Sequence, residues 1–181
     1  MFSKIRKYIF NSQFDDSETE ELYEVIVSLS RNSSLYKRGG VPDSLDGRYE
    51  LIVLHTHLVI KKLIVNGKQG KNVSQKLFNT MVKDFDNSLR ELGVGDLSVG
   101  KKVKKMIEGF YGRVEAYEKE FSSKTQGFKV LKRNLYGTTS PSINQIEYMW
   151  KYIVRLNKYL DKVTYSEISP KLSKFIKNKY Y

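Results

Sequence analysis

The chain contains no cysteine, which excludes disulfide staples and thiolate metal sites and fits a reducing compartment. It has only two histidines, His55 and His57. On a helix, residues two apart point to opposite sides, so the two cannot chelate one ion. Long apolar runs are also missing. The best, Leu51 to Ile60, is interrupted by His55, Thr56 and His57 and falls short of the roughly 18 residues a membrane span requires. Acidic residues are few, 20 against 32 lysines and arginines, leaving a net charge of +12. Such a balance points to an acidic partner: a nucleic acid, a ribosome or an anionic membrane surface. Most of the early acid lies in one run, Asp15, Asp16, Glu18, Glu20, Glu21 and Glu24, so the remainder is more basic than the total suggests.

What is present begins with helical periodicity. At 181 residues the chain is long enough for one domain with a real core. From Val99 onward, Val103, Met106, Phe110, Val114, Tyr117 and Phe121 recur at spacings of three and four, the core side of a helix. A second stripe a quarter turn away carries Lys102, Lys105, Gly109, Gly112, Arg113 and Ala116. Glycine in a helix costs stability relative to alanine, so Gly109 and Gly112 imply close approach of another backbone. That neighbour is more commonly a helix of the same fold, and lysines are commonly a solvated face. The stripe's one-sidedness favours a docking surface, since Lys102, Lys105 and Arg113 meet no acid on it before Glu120. Lys101 and Lys104 complete the cluster, with Lys104 and Glu108 spaced for an ordinary surface pair.

Gly95, Gly100 and Lys101 imitate a phosphate loop, but the hydroxyl that should follow the lysine is replaced by Lys102, and no strand precedes the turn. Nucleotide binding is rejected, although a backbone nest with four lysines can hold an anion.

Taken in order, Met1 to Phe14 mixes Lys4, Arg6 and Lys7 with Phe2, Ile5, Ile9 and Phe10. It resembles a small interfacial helix more than a signal peptide, and a frayed terminus is the plainer reading. Ser17 with Glu20 reads as a capping box opening a first helix. After the break at Gly39 to Pro42, Leu51 to Val65 reads as a buried central helix, with His55 as a hydrogen-bonded core or groove residue. Asp46 and Arg48 read as a cap and a surface ion pair in the first instance. Gly67 and Gly70 mark a turn, and Asn72 with Gln75 reads as a box before a helix ending at Gly93. Ser122 to Gly127 loosens the chain. A short helix then carries Lys129, Lys132 and Arg133, a second basic patch, and Ser142 with Gln145 caps a helix bearing Ile146, Met149, Trp150, Ile153, Leu156 and Leu160. Thr164 with Glu167 caps a short segment, and Ser169-Pro170 opens a basic terminal turn. The expectation is an all-α, single multi-helix domain over residues 17–165, with basic flanks at 1–16 and 166–181.

These residues also resemble the ubiquinol-cytochrome c chaperone family. The matching features are Gly40-Val41-Pro42-Asp43, Leu45-Asp46-Gly47-Arg48, Val53-Leu54-His55, the run Leu89 to Asp96, Val99 to Met106, Phe110-Tyr111-Gly112-Arg113, and Arg133-Asn134-Leu135-Tyr136-Gly137. Each is weak alone, and together they run over roughly residues 22–160. The resemblance implies a helical assembly factor for the respiratory cytochrome bc complex. Its client would be newly made cytochrome b, or another hydrophobic membrane protein, met near the ribosome and inner membrane. The long targeting extension of mitochondrial members is not seen. A bacterial, alphaproteobacterial chain is therefore expected, cytoplasmic or peripheral at the inner membrane. No nucleophile with a base, metal shell or cofactor loop survives inspection, so the expected activity is binding, without catalytic residues or cofactors. The alternative is a basic nucleic-acid or ribosome-binding module, which the charge and 13 tyrosines would suit. Expected partner-binding residues are Asp46, Arg48, His55, Lys101, Lys102, Lys104, Lys105, Gly109, Gly112, Arg113, Lys129, Lys132 and Arg133.

Overall fold

Leu51, Val53, Leu54, Leu58, Val59, Ile60 and Leu63 are all buried, which wraps apolar residues around the whole circumference of one helix. Such a helix must be surrounded. In the computed structural model, which describes residues 16–164 and 167–177, it is surrounded by other helices. The elements in order are α1 (Asp16–Ser30), α2 (Ser33–Lys37), α3 (Leu45–Ile64), α4 (Gly67–Glu91), α5 (Asp96–Glu120), α6 (Lys124–Asn134), α7 (Ile143–Asp161) and α8 (Ile168–Lys177). α3 is the central helix and packs against α1, α4, α5 and α7. No strand occurs among the described residues, and the fold is all-α as the periodicity predicts. The expected N-terminal segment, apart from Asp16, lies outside the described residues.

Helix ends follow local chemistry. Ser44 caps α3, its hydroxyl accepting from the Gly47 amide at 3.2 Å. The box at α7 is complete: Ser142 Oγ accepts from Gln145 N, and Gln145 Oε1 accepts from Ser142 N at 2.8 Å. α4 ends at Gly93, whose φ of 82° is the left-handed conformation that favours glycine. Gly93 N then donates to Arg90 O and Val94 N to Leu89 O, satisfying carbonyls the helix leaves open.

Three boundaries differ from the sequence reading. Asn72 lies inside α4, which already begins at Gly67. Gly70 is why it can: a β-carbon there would overlap the carbonyl of Leu63, so α3 and α4 meet backbone to backbone. Ser17 lies within α1. Residues 124–127 belong to α6, capped by Ser123, with Gly127 buried under the Trp150 ring. At the other end, Ile168, Leu172 and Phe175 of α8 are buried and α8 packs on α1. The basic residues there are the outer side of a packed helix. Pro170 sits in its first turn, where a missing N–H costs nothing.

Burying α3 on all sides also buries its polar residues. His55 is 0% exposed. Its Nδ1 lies 2.7 Å from Leu51 O, and a carbonyl can only accept, so Nδ1 carries the proton. Nε2 then accepts from Tyr152 Oη at 2.7 Å. Burial drives its pKa down to about 4. His57 turns the other way, toward the Tyr117 ring and Glu118 of α5, and burial drives its pKa to about 3, helped by Lys61.

Candidate docking groove

Where α3 enters the bundle, its first turns face the end of α4, the middle of α5 and the segment after α6. Together with Val27, Ser30 and Arg31 of α1 and Tyr36 of α2, they enclose a groove with a volume of about 720 Å³. Its floor is polar. Glu50, 5% exposed, would be strongly disfavoured as a lone buried carboxylate. Arg113 of α5 answers it, Nε donating to both carboxylate oxygens at 2.7 and 2.6 Å and Nη2 donating to Oε1. Burial pushes the Glu50 carboxyl up from its ordinary range, and the hydrogen bonds and charge of Arg113 oppose that push. Tyr49 stands beside the pair. Its hydroxyl donates to Met106 O at 2.8 Å, its ring lies 5.3 Å from the Arg113 guanidinium carbon, and burial raises its pKa to about 12.

The rim is apolar and basic together. Leu45 is 64% and Leu92 56% exposed, and both line the groove with Met106 and Leu89. Lys102 and Lys105 line it too, without an ion-pair partner among the described residues. This combination suits a segment that is largely apolar and carries acid at its edge.

The residues predicted for partner binding divide. Asp46, Arg48, Lys102, Lys105, Gly109, Arg113 and Arg133 all line this groove, although they come from three stretches of sequence. Lys101, Lys104, Gly112, Lys129 and Lys132 do not; they are exposed elsewhere on α5 and α6. His55 is corrected outright: fully buried and bonded to Tyr152, it presents no surface to a partner. The supposed absence of neutralising acid is corrected as well. Glu50 holds Arg113, and Glu120 holds Arg133 at 2.9 Å. Arg48 forms a surface ion pair, but with Asp43 at 2.7 Å, and the cap expected of Asp46 is supplied by Ser44, which leaves Asp46 in the first turn of α3. The glycines separate. Gly109 makes room for Tyr49 and Arg113 of its own chain, whereas nothing lies within 4 Å of a β-carbon built on Gly112.

Glu50, Tyr49 and Leu92 were not singled out from the sequence. Glu50 could have been noticed as a carboxylate at the mouth of an apolar run. Its partner, 63 residues away, could not. Among the described residues no group of three or more histidines and carboxylates could hold a metal, and no helix is long and apolar enough to cross a membrane.

The architecture is thus an all-α bundle whose described residues form a groove floored by a buried ion pair. The chain belongs to the ubiquinol-cytochrome c chaperone family, whose family model matches residues 37–172. It is 21% identical over 143 residues to the mouse protein named ubiquinol-cytochrome c reductase complex assembly factor 1, covering 78% of this chain and 48% of that one. The Xenopus laevis protein of corresponding name is 19% identical over 141 residues, covering 77% and 70%. The chain thus spans about half the length of the mouse relative. The crystal structure of the Cbp3 homolog from Brucella abortus superposes with a TM-score of 0.73 at 29% identity, covering 93% of this chain and 89% of that one.

Proposed function

We propose that this chain is an assembly factor for ubiquinol-cytochrome c reductase, the cytochrome bc complex, and acts by binding rather than by catalysis. Its client is newly made cytochrome b, a segment of which lies in the groove. Family membership and the relatives' names support the complex. The observation that carries the mode of action is the coincidence of exposed Leu45 and Leu92 with Lys102 and Lys105 around one groove. Exposed leucines on a folded surface cost solubility unless something covers them. Lys101, Lys104, Lys129 and Lys132 lie outside the groove, free to hold the factor against ribosomal RNA or anionic lipid while the client emerges.

The test is the double variant Leu45→Ser/Leu92→Ser, assayed for capture of newly made cytochrome b and for the amount of assembled complex. Both side chains are exposed, so melting should be unchanged while capture and assembly fall. Wild-type capture by this variant would refute the groove. Undiminished assembly in cells lacking the protein altogether would refute the function.

A further inference from the structure

Tyr49 Oη meets Met106 O near the start of α3, and the His57 ring meets the Tyr117 ring farther along, so α3 and α5 run side by side in the same direction. Their starts are not level. α3 begins at Leu45, about one turn before Tyr49, whereas α5 begins at Asp96, about three turns before Met106. α4 overshoots as well: the Phe85 ring packs on Tyr49, and the helix runs on to Glu91. The α4–α5 hairpin therefore ends in a tip that runs past the start of α3. A β-carbon built on Gly93, Gly95 or Gly100 there would meet nothing within 4 Å. Apolar residues are turned outward on this tip. Leu97 is 94% exposed, more than any other large apolar side chain among the described residues, Leu92 is exposed as well, and Val94 between them is half-buried.

A lone exposed leucine is ordinary; what distinguishes Leu97 is the charge behind it. Lys101 and Lys104 follow it on the same side of α5, about 6 and 10 Å along the axis, with Lys102 and Lys105 flanking them. Acid does not cancel them. Arg90 takes up both Asp86 and Asp96, Glu108 stands 4.0 Å from Lys104, and Glu91 is the carboxylate left over at the tip. We propose that this tip inserts shallowly into an anionic lipid bilayer, Leu97 entering the acyl region while Lys101 and Lys104 reach the headgroup phosphates. Interfacial apolar faces sit roughly 5–10 Å into the boundary between headgroups and acyl chains, which is the interval separating Leu97 from its lysines. RNA would attract the same lysines but gains nothing from a leucine, so the place of Leu97 selects lipid. The inference rests on the proposed function only where it concerns the client: Leu92 belongs to both the tip and the groove rim, so insertion sets the groove against the membrane for which a membrane-protein client is bound.

The chain has no cysteine, so Leu97→Cys and Val65→Cys can each carry a single nitrobenzoxadiazole label that brightens and shifts to the blue in an apolar medium. Val65, 72% exposed at the opposite end of α3 with Lys68 and Lys71 soon after it, stands for the rival basic end of the bundle. The labelled full chains are mixed at low salt with phosphatidylcholine vesicles with and without phosphatidylglycerol. The label at position 97 should respond only when phosphatidylglycerol is present, and the label at position 65 should not respond. Unlabelled Leu97→Ser should bind the anionic vesicles about tenfold more weakly, the loss expected when one leucine is kept out of the apolar phase, and should bind purified ribosomes as the wild type does. Lys101→Gln/Lys104→Gln should also lose at least about tenfold on the vesicles. Leu97 is exposed and lies outside the groove, so Leu97→Ser should melt and capture soluble client as the wild type does, and tip and groove fail separately. Equal responses at positions 65 and 97, wild-type vesicle binding by Leu97→Ser, or binding to ribosomes without binding to vesicles overturns the insertion and leaves the groove standing.

Discussion

Glu50 and Arg113 stand 63 residues apart in sequence and meet as a bidentate ion pair at the groove floor, joining α3 to α5. The carboxylate is buried more deeply than its partner, at 7% against 27% side-chain exposure, so the two ends of the pair are not equivalent. Removing the arginine strands a buried charge.

Arg113→Leu should therefore cost about 3–5 kcal/mol at neutral pH, measured by urea unfolding. Adding Glu50→Gln should recover much of that loss. With Arg113 gone, burial and the charge of Asp46 act on Glu50 unopposed and push its already raised pKa further up. A raised carboxyl pKa means the folded state takes up the proton first. The single variant's deficit should then shrink as pH falls through the carboxylate range. A deficit independent of pH would show that packing, not charge, was lost.

The buried histidines set the opposite slope. Their folded pKa values, about 4 for His55 and about 3 for His57, lie below the ordinary value of 6.5, so below about pH 6.5 the unfolded chain binds more protons. Stability should fall on acidification, by about 2 kcal/mol for each histidine at pH 5. Unfolding midpoints at pH 7 and pH 5 measure it, and His55→Gln should flatten the profile by about half.

The helix glycines should rank by what surrounds them. Gly112→Ala meets open space and should stabilise by about 0.5–1 kcal/mol. Gly127→Ala drives a methyl into the Trp150 ring and should destabilise by about 1–3 kcal/mol. Gly109→Ala falls between, since the atoms it meets, Tyr49 Oη at 2.9 Å and Arg113 Nη1 at 3.0 Å, are ends of side chains that can shift. Thermal melting of the three variants gives the order directly.

Charge reversal should separate the two basic surfaces. Lys102→Glu/Lys105→Glu should weaken client capture and leave melting unchanged, because both side chains are exposed and no ion pair is lost. Lys101→Glu/Lys104→Glu should spare capture but weaken association with ribosomes or anionic vesicles, most visibly at low salt. Equal effects of both pairs on capture would mean that general basicity, not the groove, attracts the client.

Legibility in the sequence followed the range of the interaction. The apolar stripe of α5, the box at Ser142 and Gln145, and the stop at Gly93 are local, and each was readable within a few residues. The glycines at 70 and 127 carry only the local signal of a turn or a loosening, because the partners that explain them, the Leu63 carbonyl and the Trp150 ring, are set by packing. The groove was half visible for the same reason. Its lysines announce themselves on one helix, whereas Glu50 and the neutralisation of Arg133 by Glu120 depend on which helices adjoin.

α8 covers α1, and Ser169 Oγ donates to Glu21 Oε1 at 3.0 Å across 148 residues. Translation delivers α1 well before α8. While the ribosome is still making the middle of the chain, the part of α1 that α8 will cover has nothing to cover it. A factor that we propose shelters an unfinished protein is thus, during its own synthesis, an unfinished protein with an open flank until α8 is made.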